Sequence, residues 1–272
     1  MHIPAMKVSS YLLLFTASLG YGSTMKKRYV DTPTLKAHNF NDGTLGPFES
    51  CNTLSPSYVA STSGFPAYSG GFKLTASFDE DYYDETRNRK SAEFCASNSN
   101  FEAIHKEGWQ GFALYIPSDN YPANSEAIIA QQFCGGYCSS WCGTLALVGT
   151  SLIVDHRSSC GTPTTTTVVT NVTFDEWHTY IINVRYSNIE DGVYNFWFDQ
   201  ELVYSATNIN LGFDDSWTSN GSMVTGAGWK NGMYNADPSY YQNTTKVLYF
   251  DNVSWYNVDD GAADGYDVVD PL

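Results

Sequence analysis

The chain has 272 residues, a formal net charge of −15 and 15% aromatic residues, among them 20 Tyr and 7 Trp. That length suits one large β domain or two small ones. A field of that sign repels nucleic acid and anionic membranes, so neither is expected as a partner, and any bound anion must be held by a few cations acting locally.

Residues 1–22 read as a secretory signal peptide. Lys7 is a weak n-region, Tyr11 to Leu19 is an apolar core too short to span a bilayer, and Gly20 and Gly22 suit cleavage before Ser23. Lys26-Lys27-Arg28 invites dibasic trimming, which makes residues 23–28 a short propeptide. Losing residues 1–28 removes four cations and no acid, taking the net charge from −15 to −19. With no second apolar run of spanning length, the mature protein is expected to be soluble, extracellular and monomeric.

After the leader the chain alternates in short runs. Asn39 to Glu49 reads as a short strand broken by the Asp42-Gly43 turn, and residues 60–71 as loop. Phe72–Phe78 and Arg87–Phe94 read as strands around an acidic loop at 79–85. Glu102–Ile116 and Glu126–Phe133 follow as strands, then a cysteine-rich loop. Leu145–Leu147 and Leu152–His156 form a hairpin around Gly149, then come a threonine run at 164–167 and a short strand at Val168–Val172. His178–Tyr186, Val193–Phe198 and Glu201–Ser205 are separated by Asp-Gly and Asp-Gln turns. Residues 208–220 are loop, Gly228–Asn235 and Lys246–Tyr256 are strands, and an acidic tail from Asp259 is expected to be loose. Short strands at regular spacing, with no long 3.6-residue period and no internal repeat, predict an all-β sandwich filling residues 29–272 as one domain.

Six cysteines (Cys51, Cys95, Cys134, Cys138, Cys142 and Cys160) in a secreted chain predict three disulfides, among fifteen pairings that sequence does not separate. Asn-x-Ser/Thr sequons at Asn171, Asn220, Asn243 and Asn252 agree with a glycosylated, secreted protein.

Three stretches carry candidate chemistry. In Gly228-Trp229-Lys230-Asn231-Gly232-Met233-Tyr234-Asn235, alternation puts Lys230, Gly232 and Tyr234 on one face, a cation and a phenol with only a glycine between them. The bland alternative is an amphipathic strand with a surface lysine. In Ile128-Ile129-Ala130-Gln131-Gln132-Phe133, an amide sits in mid-strand, where it must be hydrogen-bonded: Gln131 is either a satisfied core amide or faces a groove. In Arg87-Asn88-Arg89-Lys90-Ser91-Ala92-Glu93-Phe94, Arg89 and Glu93 share a face. Glu93 can hold a guanidinium that grips a carboxylate in a bidentate manner, against the alternative of a solvated charge run. A cation, an amide and a tyrosine, without a nucleophile or a pair of catalytic acids, suit β-elimination at a uronic acid. The C5 proton becomes acidic once the adjacent carboxylate is neutralised. A tyrosine, with a free pKa of about 10, removes that proton as tyrosinate if a cation such as Lys230 stands near.

The order of these stretches, with Gly108-Trp109-Gln110-Gly111-Phe112, Tyr115-Ile116-Pro117, Glu176-Trp177-His178, Phe196-Trp197-Phe198-Asp199 and Tyr249-Phe250-Asp251-Asn252-Val253, resembles the secreted jelly-roll polysaccharide lyases over about residues 39–256. These include glucuronan lyases of polysaccharide lyase family 20, heparin-lyase-like enzymes and family 7 alginate lyases. The resemblance implies a concanavalin-like β-jelly-roll sandwich, a polyuronate substrate, Gln131 as the group that neutralises the carboxylate and Tyr234 as the proton carrier. It also implies a structural Ca²⁺ between the first and last strands, where Asn41, Asp42, Glu49 and Asp251 offer hard oxygens. Two positions depart from the pattern. Phe133 stands where alginate lyases carry histidine, and Ser91 stands where the family arginine lies, with Arg89 further back.

The expected function is therefore cleavage of a 1,4-linked polyuronate, glucuronan first and alginate next. A non-catalytic, lectin-like module on the same fold is the alternative. A jelly-roll glycoside hydrolase would need two carboxylates flanking the bond, and no such pair is visible on one strand.

Overall fold

The computed structural model describes residues 34–78, 90–96, 106–122, 124–134, 140–212, 227–235, 245–258 and 265–272. The signal peptide, propeptide, Arg87, Arg89, the 79–85 acids, His105, Cys138, Asn220 and Asn243 lie outside them.

Fifteen strands run β1 (Thr34–His38), β2 (Glu49–Cys51), β3 (Val59–Ser63), β4 (Phe72–Phe78), β5 (Lys90–Cys95), β6 (Glu107–Tyr115), β7 (Glu126–Cys134), β8 (Ser140–Val148), β9 (Ser151–His156), β10 (Thr164–Val169), β11 (Trp177–Arg185), β12 (Ser187–Phe198), β13 (Glu201–Leu211), β14 (Ala227–Asn235) and β15 (Lys246–Val258). They form two antiparallel sheets. One is ordered β13-β12-β11-β6-β15-β4-β3, with β1 also paired to β15, and the other β10-β9-β8-β7-β14-β5-β2. This is the all-β sandwich that the alternating pattern predicts, in the jelly-roll form that the resemblance implies.

The sheets meet over an aromatic core. Phe94 of the seven-stranded sheet stacks on Trp255 and packs edge-on against Phe250 of the other, and Phe112 stacks on Tyr180. Polar ties cross the same interface. Asn231 accepts from Gln110 Nε2 at 2.6 Å and Trp255 Nε1 at 3.1 Å, and Trp229 Nε1 donates to Asn257 at 3.0 Å. Gln110 and Asn231 are buried, so these bonds satisfy the Asn231 amide oxygen and the Gln110 NH₂, which would otherwise be costly inside. They also fix which face of β14 turns outward.

Several expectations change. The Asp191-Gly192 turn lies within β12, whose pairing with β13 is irregular on both sides of Gly192, because Ser187 Oγ accepts from the backbone of Ile189 and Asp191. Residues 39–48 hold no strand, and β3 occupies part of the expected 60–71 loop. Residues 265–272 are not a loose tail. The short helix α1 (Gly265–Val269) lies on the outer side of the eight-stranded sheet, with Val269 packed on Trp109 and Ile181 and with Tyr266 and Val268 beside them. Asn252 Nδ2 donates to the Pro271 carbonyl at 2.7 Å. The acids of this segment hid its apolar anchors.

Cys51–Cys95 and Cys134–Cys142 are bonded, and Cys160 is also in a disulfide. No described helix is long and apolar enough to cross a membrane.

Candidate active site

The outer face of the seven-stranded sheet collects the predicted residues. On β14, Lys230 stands opposite Cys95 of β5 and Gln131 of β7, Gly232 opposite Glu93, and Tyr234 opposite Ser91. Directly opposed residues share a face. Trp229, Asn231 and Met233 point into the core, which leaves Lys230, Gly232 and Tyr234 outward, as the alternation predicts.

Glu93 and Gln131 belong to strands on either side of β14, yet they touch. Gln131 Nε2 donates to Glu93 Oε1, and Asn52 Nδ2 donates to Glu93 Oε2. The bridge crosses the face of β14 beside Gly232. A side chain at 232 would obstruct it, and the backbone there forbids one: φ is +128°, and an added Cβ would lie 2.2 Å from the Ala92 carbonyl oxygen and 2.7 Å from Glu93 Cα. The glycine gap between Lys230 and Tyr234 is spanned by a carboxylate–amide bridge. Glu93 is 1% and Gln131 3% exposed, so the pair is well shielded from water.

The bridge sets the chemistry of the amide. An ionised carboxylate only accepts, so the NH₂ end of Gln131 must face Glu93. That fixes the orientation of the amide and holds its second N–H for another acceptor. Asn52 takes a left-handed backbone, φ 52°, immediately after Cys51, and its carbonyl accepts from Ser91 Oγ. The Cys51–Cys95 disulfide anchors this corner to β5. No sequence pattern pointed to Asn52. A polar residue beside a half-cystine was its only signal.

Lys230 is nearly buried, with Nζ 4.3 Å from the centre of the Phe133 ring, toward the Gly228 end of β14. Tyr234 lies four residues the other way, about 13 Å along an extended strand, and is half-buried. The two share a face, but the described position of the ammonium is at Phe133. Arg89, the expected partner of Glu93, lies outside the described residues.

The described histidines stand elsewhere. His156 faces the other sheet, stacked on Tyr194 and 2.9 Å from Tyr204 Oη, and burial pulls its pKa down. His178 sits near the β11–β12 side of the other sheet, bonded through Nδ1 to Asp199 at 2.7 Å and through Nε2 to the Thr173 carbonyl at 3.0 Å. Burial lowers its pKa, but the bond and charge of Asp199, the Thr173 carbonyl and Glu176 outweigh that and leave it raised.

The four expected calcium ligands do not assemble into one set. Asn41 Oδ1 accepts from Phe72 N at 3.3 Å, and Asp251 Oδ2 from Ser69 N and Oγ at 3.2 Å, so these two converge on the 69–72 segment. Asp251 is fully buried, which raises its pKa. Asp42 instead accepts from Thr44 and pairs with His38, and Glu49 lies on β2 of the other sheet opposite Cys95. Among the described residues no cluster of three or more His, Cys, Asp or Glu could hold a metal.

Known structures share this architecture. An endo-β-1,4-glucuronan lyase from the fungus Trichoderma reesei superposes with a TM-score of 0.62 at 17% identity, covering 87% of this chain and 98% of that one. The family 7 alginate lyase A1-II′ gives 0.55 at 10%, covering 76% and 84%, and a PL-14 alginate lyase from Aplysia kurodai gives 0.55 at 10%, covering 76% and 89%. No curated protein sequence is similar enough to count as a match. A polysaccharide lyase family model matches residues 40–254, which takes in most of both sheets and Glu93, Gln131 and Tyr234, and the chain therefore belongs to the polysaccharide lyases.

Proposed function

We propose that the protein is an extracellular lyase that cleaves a 1,4-linked polyuronate by β-elimination, with glucuronan the favoured substrate and alginate next. The observation that carries this reading is the Glu93–Gln131 bridge, which aims a fixed, neutral amide at the face where Tyr234 stands. The likeness to a fungal glucuronan lyase along nearly its whole length supports the choice of polymer.

The steps follow from what these groups can do. Gln131 donates its second N–H to the C5 carboxylate of the bound uronate, and positive charge from Lys230 lies on the same face. Both draw off negative charge as the C5 carbanion develops. Tyr234, as tyrosinate, takes the C5 proton. The electron pair forms the C4–C5 double bond, the C4–O4 bond breaks, and Tyr234 returns the proton to O4. Glu93 touches no substrate and acts as a positioning residue for Gln131.

One proton carrier suffices when H5 and O4 lie on the same side of the ring, as in β-1,4-linked glucuronate and mannuronate. In guluronate they lie on opposite sides and two carriers are needed. Phe133 carries no proton, and the described residues His156 and His178 are placed elsewhere. Among the described residues Tyr234 is thus the proton carrier on this face, which favours syn substrates. Asn41 and Asp251 are the two residues that would hold a structural Ca²⁺, as a brace for the 69–72 segment with no part in the chemistry.

The test is ultraviolet absorbance of the unsaturated uronate on a panel of polyuronates, with Tyr234→Phe alongside. We expect Tyr234→Phe to lower kcat by several orders of magnitude while polymer binding persists. Binding without any unsaturated product from the wild type would make the protein a lectin. Faster cleavage of polyguluronate than of glucuronan would show a second proton carrier.

A further inference from the structure

The mechanism leaves unexplained how an acidic protein holds an anionic polymer. Most described cations are placed where they cannot help. Lys73, Lys90 and Lys246 are buried, Lys73 bonding the Ser63 and Gly64 carbonyls and the other two lying against Phe78. Lys106 pairs with Asp191, Arg185 bonds the Asp191 carbonyl, and Lys36 is on β1 of the eight-stranded sheet. On the seven-stranded sheet, outside the core, the described cations are Lys230 and Arg157.

Both sit on aromatic rings, and the two rings are neighbours. Lys230 Nζ lies over Phe133, Phe133 pairs across strands with Trp141, and Arg157 Cζ lies 4.0 Å from the Trp141 ring centre. The face thus carries a strip in the order cation, ring, ring, cation. It crosses β14, β7, β8 and the end of β9, three strand spacings or about 14 Å. That is the length of a short run of pyranose rings, not of one. The Arg157 end is built rather than floppy. Nε donates to the Trp141 carbonyl and Nη2 to Ser140 Oγ, each at 2.9 Å, and the Arg157 backbone bonds both Cys142 and Gly212. Trp141 lies next to the Cys134–Cys142 disulfide, which ties β7 to β8 at this level. Asp155, the acid beside Arg157, has its oxygens engaged by the Thr144 and Thr165 hydroxyls.

We propose that Trp141 and Arg157 form a distal uronate subsite, with a pyranose face on the indole and its carboxylate on the guanidinium. This rests on the polyuronate reading of the Gln131–Tyr234 centre. The polymer then lies across the strands from β14 toward β9, with Lys230 and Arg157 as its two cationic anchors and the reacting sugar at the Gln131–Tyr234 centre on the β14 side. A planar guanidinium held by the Trp141 carbonyl, the Ser140 hydroxyl and an indole suits a planar carboxylate, and a ring beneath the cation strengthens its hold while water is excluded. A subsite remote from the reacting carbon contributes binding that is equal in the ground and transition states, so its loss appears in KM.

The test compares wild type, Arg157→Gln, Arg157→Lys, Trp141→Ala and Trp141→Phe on long glucuronan and on the shortest oligomer that is cleaved, with melting temperatures recorded for each. Arg157→Gln and Trp141→Ala should raise KM for the polymer roughly tenfold, about 1.4 kcal/mol, with kcat within about twofold. The short oligomer should lose little, because it does not reach the subsite. Trp141→Phe should retain most of the affinity, and Arg157→Lys should lose part of it because the bidentate fork is gone. An equal rise in KM for both lengths would mean general damage to the face and overturn the subsite, as would unchanged KM on the polymer. A wild type that cleaves no polyuronate would sink the parent reading and the subsite together. Cleavage by the wild type with no change of length dependence in the variants would sink the subsite alone.

Discussion

Glu93→Gln separates the positioning role of the bridge from a merely structural one. The native carboxylate accepts from two amides, Gln131 and Asn52, in a site that is 1% exposed. A glutamine there keeps one acceptor and turns an NH₂ toward another NH₂. One charge-assisted bond is lost, about 1.5–3 kcal/mol, and a buried donor is left unmet, which overlaps with the same loss. A net cost of about 2–4 kcal/mol is below the usual 5–15 kcal/mol stability of a domain, so the variant should fold. At about 2–4 °C per kcal/mol for a domain of this size, the melting temperature should fall by roughly 4–16 °C. Gln131 also loses what fixes its orientation, and misplacing a group that acts on the developing charge costs on the order of 10²-fold in rate. The assay pairs urea melts with kcat on glucuronan at a temperature where the variant is fully folded. A double-mutant cycle with Gln131→Ala should give a coupling of at least about 1 kcal/mol in the rate, as contacting residues do. Wild-type kcat and melting temperature in Glu93→Gln, or strict additivity with Gln131→Ala, would refute the bridge as the device that sets the amide.

Gly232→Ala should be more damaging than an ordinary glycine substitution, because its Cβ meets the backbone of Ala92 and Glu93 and the residue needs positive φ. A loss of several kcal/mol or failure to fold is expected, and a stable, active variant in a urea melt would contradict the close approach. Lys246 should make stability rise with alkaline pH. Burial first, then the charge of Lys90, lowers its pKa to about 8 against a partial counter-effect from Glu126, while in the unfolded chain it lies near 10.4. Between those values the unfolded state binds more protons, so stability increases from about pH 8 to about 10.4. Lys246→Met should melt higher than wild type at pH 7, with the gap closing by pH 10, and parallel melting-versus-pH curves would reject this. Chelation should lower the melting temperature with little change in kcat if Asn41 and Asp251 hold Ca²⁺, and a melting curve indifferent to chelator rejects that site.

What was legible in the sequence is what period two encodes. Phe72–Phe78 is a strand with the predicted bounds, and the outward set Lys230, Gly232 and Tyr234 is placed as alternation requires. An amide inside an apolar run demanded a partner, and Gln131 has one. The identity of that partner was not legible, because Glu93 is 38 residues away and meets Gln131 only once β14 is inserted between their strands. Asn52 was missed for a related reason: its role depends on a left-handed turn that a single residue in a loop does not announce. Trp141 falls in the expected cysteine-rich loop and Arg157 just after β9, and only the pairing of β7 with β8 sets their ring and charge in line with Phe133. The docked C-terminal segment was hidden by composition, since Asp267 and Asp270 surround the Tyr266, Val268 and Val269 side chains that face the sheet.

The same alternation explains why this face can be both buried and responsive. Two of the outward residues of β14 are flanked by residues bonded to the opposite sheet: Lys230 lies between Trp229, bonded to Asn257, and Asn231, bonded to Gln110 and Trp255, and Gly232 follows Asn231. The outer row therefore inherits its position from bonds on the inner row, which are out of reach of solvent and of any polymer. A loop-borne site would have to order itself on binding and spend affinity in doing so. Here the ordering is complete when the sandwich folds. Substitutions on the inner row, such as at Asn231, should consequently act on stability and on kcat together. Those at the rim near Arg157 should act on KM alone, and that division follows from which face of the strand each side chain occupies.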